Sequence, residues 1–308
     1  MLRKRRQRIH HLIFNKQEKH QLTQNIPKHS VSAQKGLRMN KQDYYSDNEK
    51  TLLARIDAIN AKIENAWLAY RKNNPDAYGV KNNDTDTVLD GFYPNYTKQS
   101  VKILFIGRES YGLAGCDYIE VFIDHYLNGR TGPEGQQKNI NRDKFHKMLI
   151  QVAYGIIHEK KWNDVPSAFE ICENCRIFDS VSFAFINLSK LSNENTATEH
   201  RETDWNLVNT SLDMTINKEN LILQEITTLD PDLIVCMNFE RDRLCKVFGD
   251  NLKIFDNEWF RYHLNINGKE ILLLDQSHFS ATRGVNEQEI FDGISKEWKN
   301  FLMQSQKV

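Results

Sequence analysis

Four short, continuously apolar runs limit what this chain can fold into. They are Val101-Lys-Ile-Leu-Phe-Ile106, Phe183-Ala-Phe-Ile186, Leu233-Ile-Val-Cys-Met237 and Ile271-Leu-Leu-Leu274. A strand with one wet face alternates apolar and polar residues, whereas a run without alternation is buried on both faces, as in a parallel sheet. Parallel neighbours need a long crossover, usually a helix. The segments between the runs carry helical periodicity, so the chain predicts an α/β fold. Its expected architecture is three-layer αβα, with a central, mostly parallel four-stranded sheet.

The helices are read from spacing. Ser46 or Asp47 caps a helix to about residue 73, with Leu52, Leu53, Ile56, Ile59, Ile63, Trp67 and Tyr70 on one face. Asn74-Pro75 stops it. Residues 74–100 read as loop. Their aromatics, Tyr78, Phe92, Tyr93 and Tyr96, either pack beneath it or stack on bases. A helix is expected over 117–127, then a Gly-rich turn, then a periodic helix over 143–158 through Phe145, Met148, Leu149, Val152, Ala153 and Ile156. Residues 192–204 read as a mobile insertion, 218–229 as a helix and 241–248 as a short one. An edge strand from Trp259 to Ile266 turns back through Asn267-Gly268. The last helix, 287–304, turns Ile290, Phe291, Ile294, Trp298, Phe301 and Leu302 inward.

The net charge of zero conceals an asymmetry. Residues 1–42 hold eleven Lys and Arg against one acid, Glu18, leaving 30 basic and 40 acidic residues in 43–308. A basic tail of this kind is either a disordered extension or an arm that attracts nucleic-acid phosphates. The division expected is a basic tail over 1–42, a helix and loop over 43–99 packing on the core, and the α/β domain over 100–308. No window approaches the roughly 18 apolar residues of a membrane span. Five scattered cysteines (Cys116, Cys172, Cys175, Cys236 and Cys245) suggest a reducing, cytoplasmic compartment without disulfides. Cys172-Glu-Asn-Cys175 has the spacing of half a zinc site, and no second pair completes it, so no metal or other cofactor is expected.

The strand ends carry the chemistry. Ligands in open α/β sheets bind beyond the carboxyl ends of the strands. There the four runs deliver Glu109, Asn187, Asn238 and His278. A carboxylate, a carboxamide and an imidazole at one sheet edge form a plausible site, because the first can hold a water and the others can pair with a polar ligand.

At these residues the chain resembles the uracil-DNA glycosylase superfamily. Gly107-Arg-Glu-Ser-Tyr-Gly112 is similar to its water-activating motif, Gly-Gln-Asp-Pro-Tyr-His in the best-known branch. Phe185-Ile-Asn187 is similar to the strand end whose Asn reads the uracil edge. Ser277-His-Phe-Ser-Ala-Thr-Arg-Gly284 looks like the distal His-Pro-Ser motif, and Leu229-Asp-Pro-Asp-Leu-Ile-Val-Cys236 like a Leu-x-Pro helix-to-strand passage. The match covers roughly 100–300, in order. It implies a uracil-DNA glycosylase-like fold and a monomeric DNA N-glycosylase, a hydrolase acting on DNA with a flipped-out base. The activity would serve base-excision repair or antiviral defence against phage with modified DNA.

By the same resemblance Glu109 and His278 are catalytic. Asn187, Tyr111 and Gly107 bind the base, while Ser110, Ser189, Ser280 and Arg283 contact DNA. The chemistry suits the residue types: cleavage of an N-glycosidic bond leaves positive charge on the sugar, which a carboxylate stabilises, and negative charge on the base, which an imidazole stabilises. The departures bear on the substrate. Arg108, Ser110, Gly112 and Phe279 replace Gln, Pro, His and Pro, and Glu109 is one methylene longer than Asp. Tyr118 or Phe122 would have to supply the base-stacking ring. Leu191 stands where the iron–sulfur branch has a ligand Cys, which places the chain outside that branch. Uracil or a modified pyrimidine is therefore the expected substrate. A catalytically inert nucleic-acid- or nucleotide-binding protein is the alternative, and no Gly-x-Ser-x-Gly elbow or P-loop supports a hydrolase of another kind.

Overall fold

The computed structural model describes residues 41–78, 80, 86–132, 137–194, 202–254, 260–281 and 286–305. A 3-10 turn, Lys41–Tyr44, opens it and leads into α1 (Asp47–Asn73). There follow β1 (Gly91–Phe92), β2 (Ile103–Gly107), α2 (Tyr118–Leu127), the short pair β3 (Arg130–Thr131) and β4 (Lys138–Asn139), and α3 (Lys144–Ile157). Next come α4 (Ala168–Glu173), α5 (Ile177–Ser180), β5 (Ala184–Asn187), α6 (Trp205–Ile216) and α7 (Leu221–Leu229). The chain ends through β6 (Leu233–Met237), α8 (Arg241–Phe248), β7 (Leu252–Ile254), β8 (Arg261–Ile266), β9 (Lys269–Gln276) and α9 (Glu287–Ser305).

The apolar runs supply the middle of the main sheet. Its order is β1-β5-β2-β6-β9-β8-β7, and β5, β2, β6 and β9 are mutually parallel. Every residue of β5, β2 and β6 is buried. The expected four-stranded sheet is thus the parallel centre of a seven-stranded mixed one. Loop residues Gly91 and Phe92 add an antiparallel edge beside β5, and β8 and β7 extend the other side. The β8–β9 hairpin turns at Asn267 and Gly268, with φ of 54° and 82°, the pair of left-handed conformations that a two-residue turn requires. Trp259, expected to begin β8, lies outside the described residues.

Register aligns the carboxyl ends. Gly107 pairs with Asn187, Ile106 with Cys236, and Met237 with Gln276. The loops that leave β5, β2, β6 and β9 therefore emerge along one edge.

The helices bury the stripes read from the sequence. Leu53, Ile56, Ile59, Ile63 and Trp67 of α1 are buried, and α1 packs on α6 and α7. Elsewhere α3 packs on α4 and α9. Leu302, expected inward, is exposed at the end of α9. Helix α6 is not evident from spacing, because its buried face includes Thr210, Ser211 and Thr215 beside Leu207, Val208 and Leu212. Phe92, Tyr93 and Tyr96 pack in the core rather than face a ligand. Residues 1–40, most of the basic tail, lie outside the described residues. Lys41, assigned to that tail, pairs with Asp117 at the head of α2. No helix among the described residues is long and apolar enough to cross a membrane.

Candidate active site

The segment after β2 is held by a ladder that continues past the sheet. Leu188 and Ser189 donate from their backbone nitrogens to the carbonyls of Gly107 (2.8 Å) and Arg108 (2.7 Å). Asn193 donates to Ser110 O at 2.8 Å, and Gly112 to Asn193 O at 3.3 Å. Asn193, at the start of the expected mobile insertion, is therefore bridged to Tyr111 of the 107–112 segment, and residues 195–201 lie outside the described residues. Gly107 has to lack a side chain: a Cβ there would stand 2.7 Å from Phe185 Cζ and 3.0 Å from Asn187 Oδ1. Phe185, Asn187 and the open side of Gly107 thus share one face of the sheet.

Glu109 reaches into a half-buried position beside this ladder. Its Oε1 accepts from the Asp204 backbone nitrogen at 2.9 Å and from Asn193 Nδ2 at 3.3 Å. Its Oε2 is buried and has no hydrogen-bond partner among the described residues. Burial pushes the carboxyl above the usual glutamate range, while the hydrogen bonds from Asp204 and Asn193 pull it partly back. A buried carboxylate oxygen left without a partner is costly, and a water admitted beside it on ligand binding would satisfy it. Tyr111 stands beside it and donates its hydroxyl to Glu202 O at 3.1 Å.

His278 is brought across the sheet by its neighbour. Phe279 is fully buried and packs edge-on against Phe105 of β2, with ring centroids 5.9 Å apart. The loop after β9 is thereby drawn past β6 towards β2. The His278 ring stacks on Phe145 of α3 at 5.4 Å, and Phe145 meets Phe185 edge-on at 5.9 Å. Its Nδ1 accepts from the Ser280 backbone nitrogen at 3.2 Å and lies 2.7 Å from Ser280 Oγ. An Nδ1 that accepts leaves the proton on Nε2. Burial, with the Arg108 charge nearby, lowers the imidazole pKa to about 4, so near neutral pH His278 is an uncharged donor. Arg108 is itself fixed, donating from Nε to Met237 O at 2.8 Å and from Nη1 to Thr203 Oγ1 at 2.9 Å.

Asn187 lies at the foot of the site, almost wholly buried. Its backbone nitrogen donates to Asp90 Oδ2 at 2.8 Å and its Nδ2 to Asp90 Oδ1 at 3.0 Å. Behind Asp90, Lys190 Nζ lies 2.8 Å from Asp90 Oδ2 and 2.5 Å from Glu225 Oε2, and all three side chains are fully buried. Asn238, delivered by β6, adopts a φ of 60° there, and the next two backbone nitrogens, of Phe239 and Glu240, donate to Asp275.

The expected DNA contacts divide. Ser280 is exposed beside His278. Ser110 is only 4% exposed, which removes it from a surface that phosphates reach. Ser189 is completely buried, and its hydroxyl closes a local turn by donating to Leu191 O at 2.9 Å. A serine hydroxyl often bonds to nearby backbone in this way. Arg283 lies outside the described residues. Tyr118 and Phe122, considered for base stacking, are packed among other rings: Tyr118 stacks on Phe185 at 4.4 Å, and Phe122 lies over His146 at 4.3 Å. Two residues of the site carry no functional signal in the sequence. Phe145 reads only as part of a core stripe, and Asp90 is one acid in a polar loop. Among the described residues no three His, Cys, Asp or Glu side chains converge to hold a metal. No family model and no curated protein matches the chain.

Proposed function

We propose that the protein is a DNA glycosylase that hydrolyses the N-glycosidic bond of uracil or a modified pyrimidine. The observation that carries this reading is the buried, unpartnered Oε2 of Glu109 at the carboxyl edge of the sheet. A water held there is polarised by the carboxylate, whose charge also offsets the positive charge growing on the sugar as the bond breaks. The departing base becomes anionic, and the Nε2 proton of an uncharged His278 is a donor for its oxygen. A neutral donor suits this role because it needs no proton from solvent near pH 7. Asn187 reads the base edge, and the base must leave the helix stack to reach it, at a cost of a few kcal/mol. Phe145, the partly exposed ring beside His278, offsets part of that cost.

The same arrangement supports membership of the uracil-DNA glycosylase superfamily, outside its iron–sulfur branch, and a three-layer αβα core. The parallel order β5-β2-β6-β9 and the convergence of the three motifs on one edge are its supports. Gly112, with a φ of 65° and nothing within 4 Å of a Cβ built there, widens the entrance where the best-known branch has His. A larger base than uracil fits such an opening, consistent with defence against phage whose DNA is modified as well as with base-excision repair.

The test is release of bases from oligonucleotides carrying uracil, hypoxanthine, 5-hydroxymethylcytosine or glucosylated hydroxymethylcytosine, read as alkali-labile strand breaks. Cleavage at one pyrimidine is expected. Salt-sensitive binding without an abasic product for any base would instead identify an inert binding protein.

A further inference from the structure

The buried acid behind Asn187 has a consequence for selectivity. An ionised carboxylate accepts hydrogen bonds and donates none, so Asp90 dictates which end of the Asn187 amide faces it. That end is Nδ2, at 3.0 Å. Burial pushes the Asp90 carboxyl up, and the Lys190 charge and the Asn187 hydrogen bonds oppose that rise. Asp90 stays ionised because three donors converge on it: the Asn187 amide, the Asn187 backbone nitrogen and Lys190 Nζ. Burial likewise raises the Glu225 carboxyl, to about 7, while the Lys190 charge opposes that rise.

The sheet order gives the amide a direction. Asp90 immediately precedes β1, on the outer side of β5, whereas Gly107 belongs to β2, on the inner side. The Asn187 oxygen is the atom turned towards Gly107. With one N–H committed to Asp90, the amide offers a ligand its Oδ1 on the inner side and its remaining N–H on the outer side.

We propose that Asp90 is a positioning residue that sets base selectivity by locking the Asn187 amide in one of its two orientations. The inference rests on the base-excision reading above. A base in the site must then place an N–H opposite Oδ1 and an acceptor opposite the remaining N–H, as a pyrimidine with a protonated N3 beside a 4-keto group does. An amide turned over matches the reverse order, an unprotonated N3 beside a 4-amino group. Lys190, itself paired with Glu225, holds Asp90 in place from behind.

The test compares single-turnover excision of uracil and of cytosine, from otherwise identical oligonucleotides, by wild type, Asp90→Asn and Asp90→Glu. In Asp90→Asn the new side chain keeps its one oxygen for Lys190 and the Asn187 backbone nitrogen. Its NH2 then faces the Asn187 side chain, which turns over. The uracil-to-cytosine rate ratio is expected to fall about tenfold or more in Asp90→Asn. It should stay near the wild-type value in Asp90→Glu, which remains acceptor-only. The ratio does not depend on the folded fraction. An unchanged ratio in Asp90→Asn, or an equal shift in both variants, would overturn the proposal. If Asp90→Asn does not fold, or if wild type releases no base and the excision reading itself fails, the wild-type side-chain amide of Asn187 decides by NMR. One strongly protected, downfield amide proton supports the lock, and two rapidly exchanging protons contradict it.

Discussion

Glu109 carries a cost that a merely structural side chain would shed. One oxygen is anchored, the other is buried without a partner among the described residues, and burial raises the carboxyl pKa. Because the water-holding form is the ionised one, excision should fall as pH drops through that raised pKa, above the ordinary 4.5. On the proposed reading His278 acts as an uncharged donor, and since it stays uncharged down to about 4, no second break is expected at the usual histidine value of 6.5. Single-turnover rates between about pH 4 and 8 check both statements. His278→Ala removes the donor to the leaving base and should slow excision by about 10²-fold or more. The ring is held by Ser280 and by stacking on Phe145 at the mouth of the site, outside the sheet core, so folding should survive, which circular dichroism would show.

Two packing contacts bring the pieces of the site together. Gly107→Ala drives a Cβ into Phe185 and Asn187 Oδ1, and overpacking of this kind costs about 1–3 kcal/mol. Phe279→Ala removes the anchor on Phe105, and a fully buried phenylalanine truncated this way costs about 3–5 kcal/mol. Denaturant unfolding measures both, and the Phe279 variant should also lose excision because the His278 loop is freed. The parallel strands and the β8–β9 turn are legible in the sequence because continuous apolar runs and Asn267-Gly268 admit few alternatives. Glu109, Asn187 and His278 are legible as strand-end residues for the same reason. Helix α6 is not, since Thr and Ser sit on its buried face and blur the periodicity. Asp90 cannot be found by spacing because its role exists only once Gly91 pairs with Phe185 and turns the acid under Asn187. Ser189 misleads because a hydroxyl satisfied by its own turn looks, in sequence, like one offered to a phosphate.

At the scale of the molecule, the buried Asp90–Lys190–Glu225 cluster holds two acids against one base. Burial raises the Glu225 carboxyl to about 7, above its ordinary 4.5. Between those values the native chain keeps a proton that the unfolded chain releases, so this group makes stability fall as pH rises through that window. His146 runs the other way. Burial against Tyr126 lowers it to about 4 despite Asp143 nearby, so stability falls as pH drops from 6.5 towards 4. Glu225→Gln removes the first effect alone. Relative to Glu225→Gln, the melting temperature of wild type should fall from about pH 5 to 7 and change no further above that range. A parallel decline in both would contradict the raised pKa of Glu225 as its cause.

Everything proposed for this sheet edge turns on Glu109 holding the attacking water. The most direct measurement is the single-turnover rate of Glu109→Gln beside wild type on the oligonucleotide that wild type cleaves best, with melting temperatures recorded for both. The prediction is a loss of about 10²-fold or more. The melting temperature should be unchanged or higher, because a neutral amide replaces a partly buried charge. Excision by Glu109→Gln at the wild-type rate would contradict the role assigned to this carboxylate.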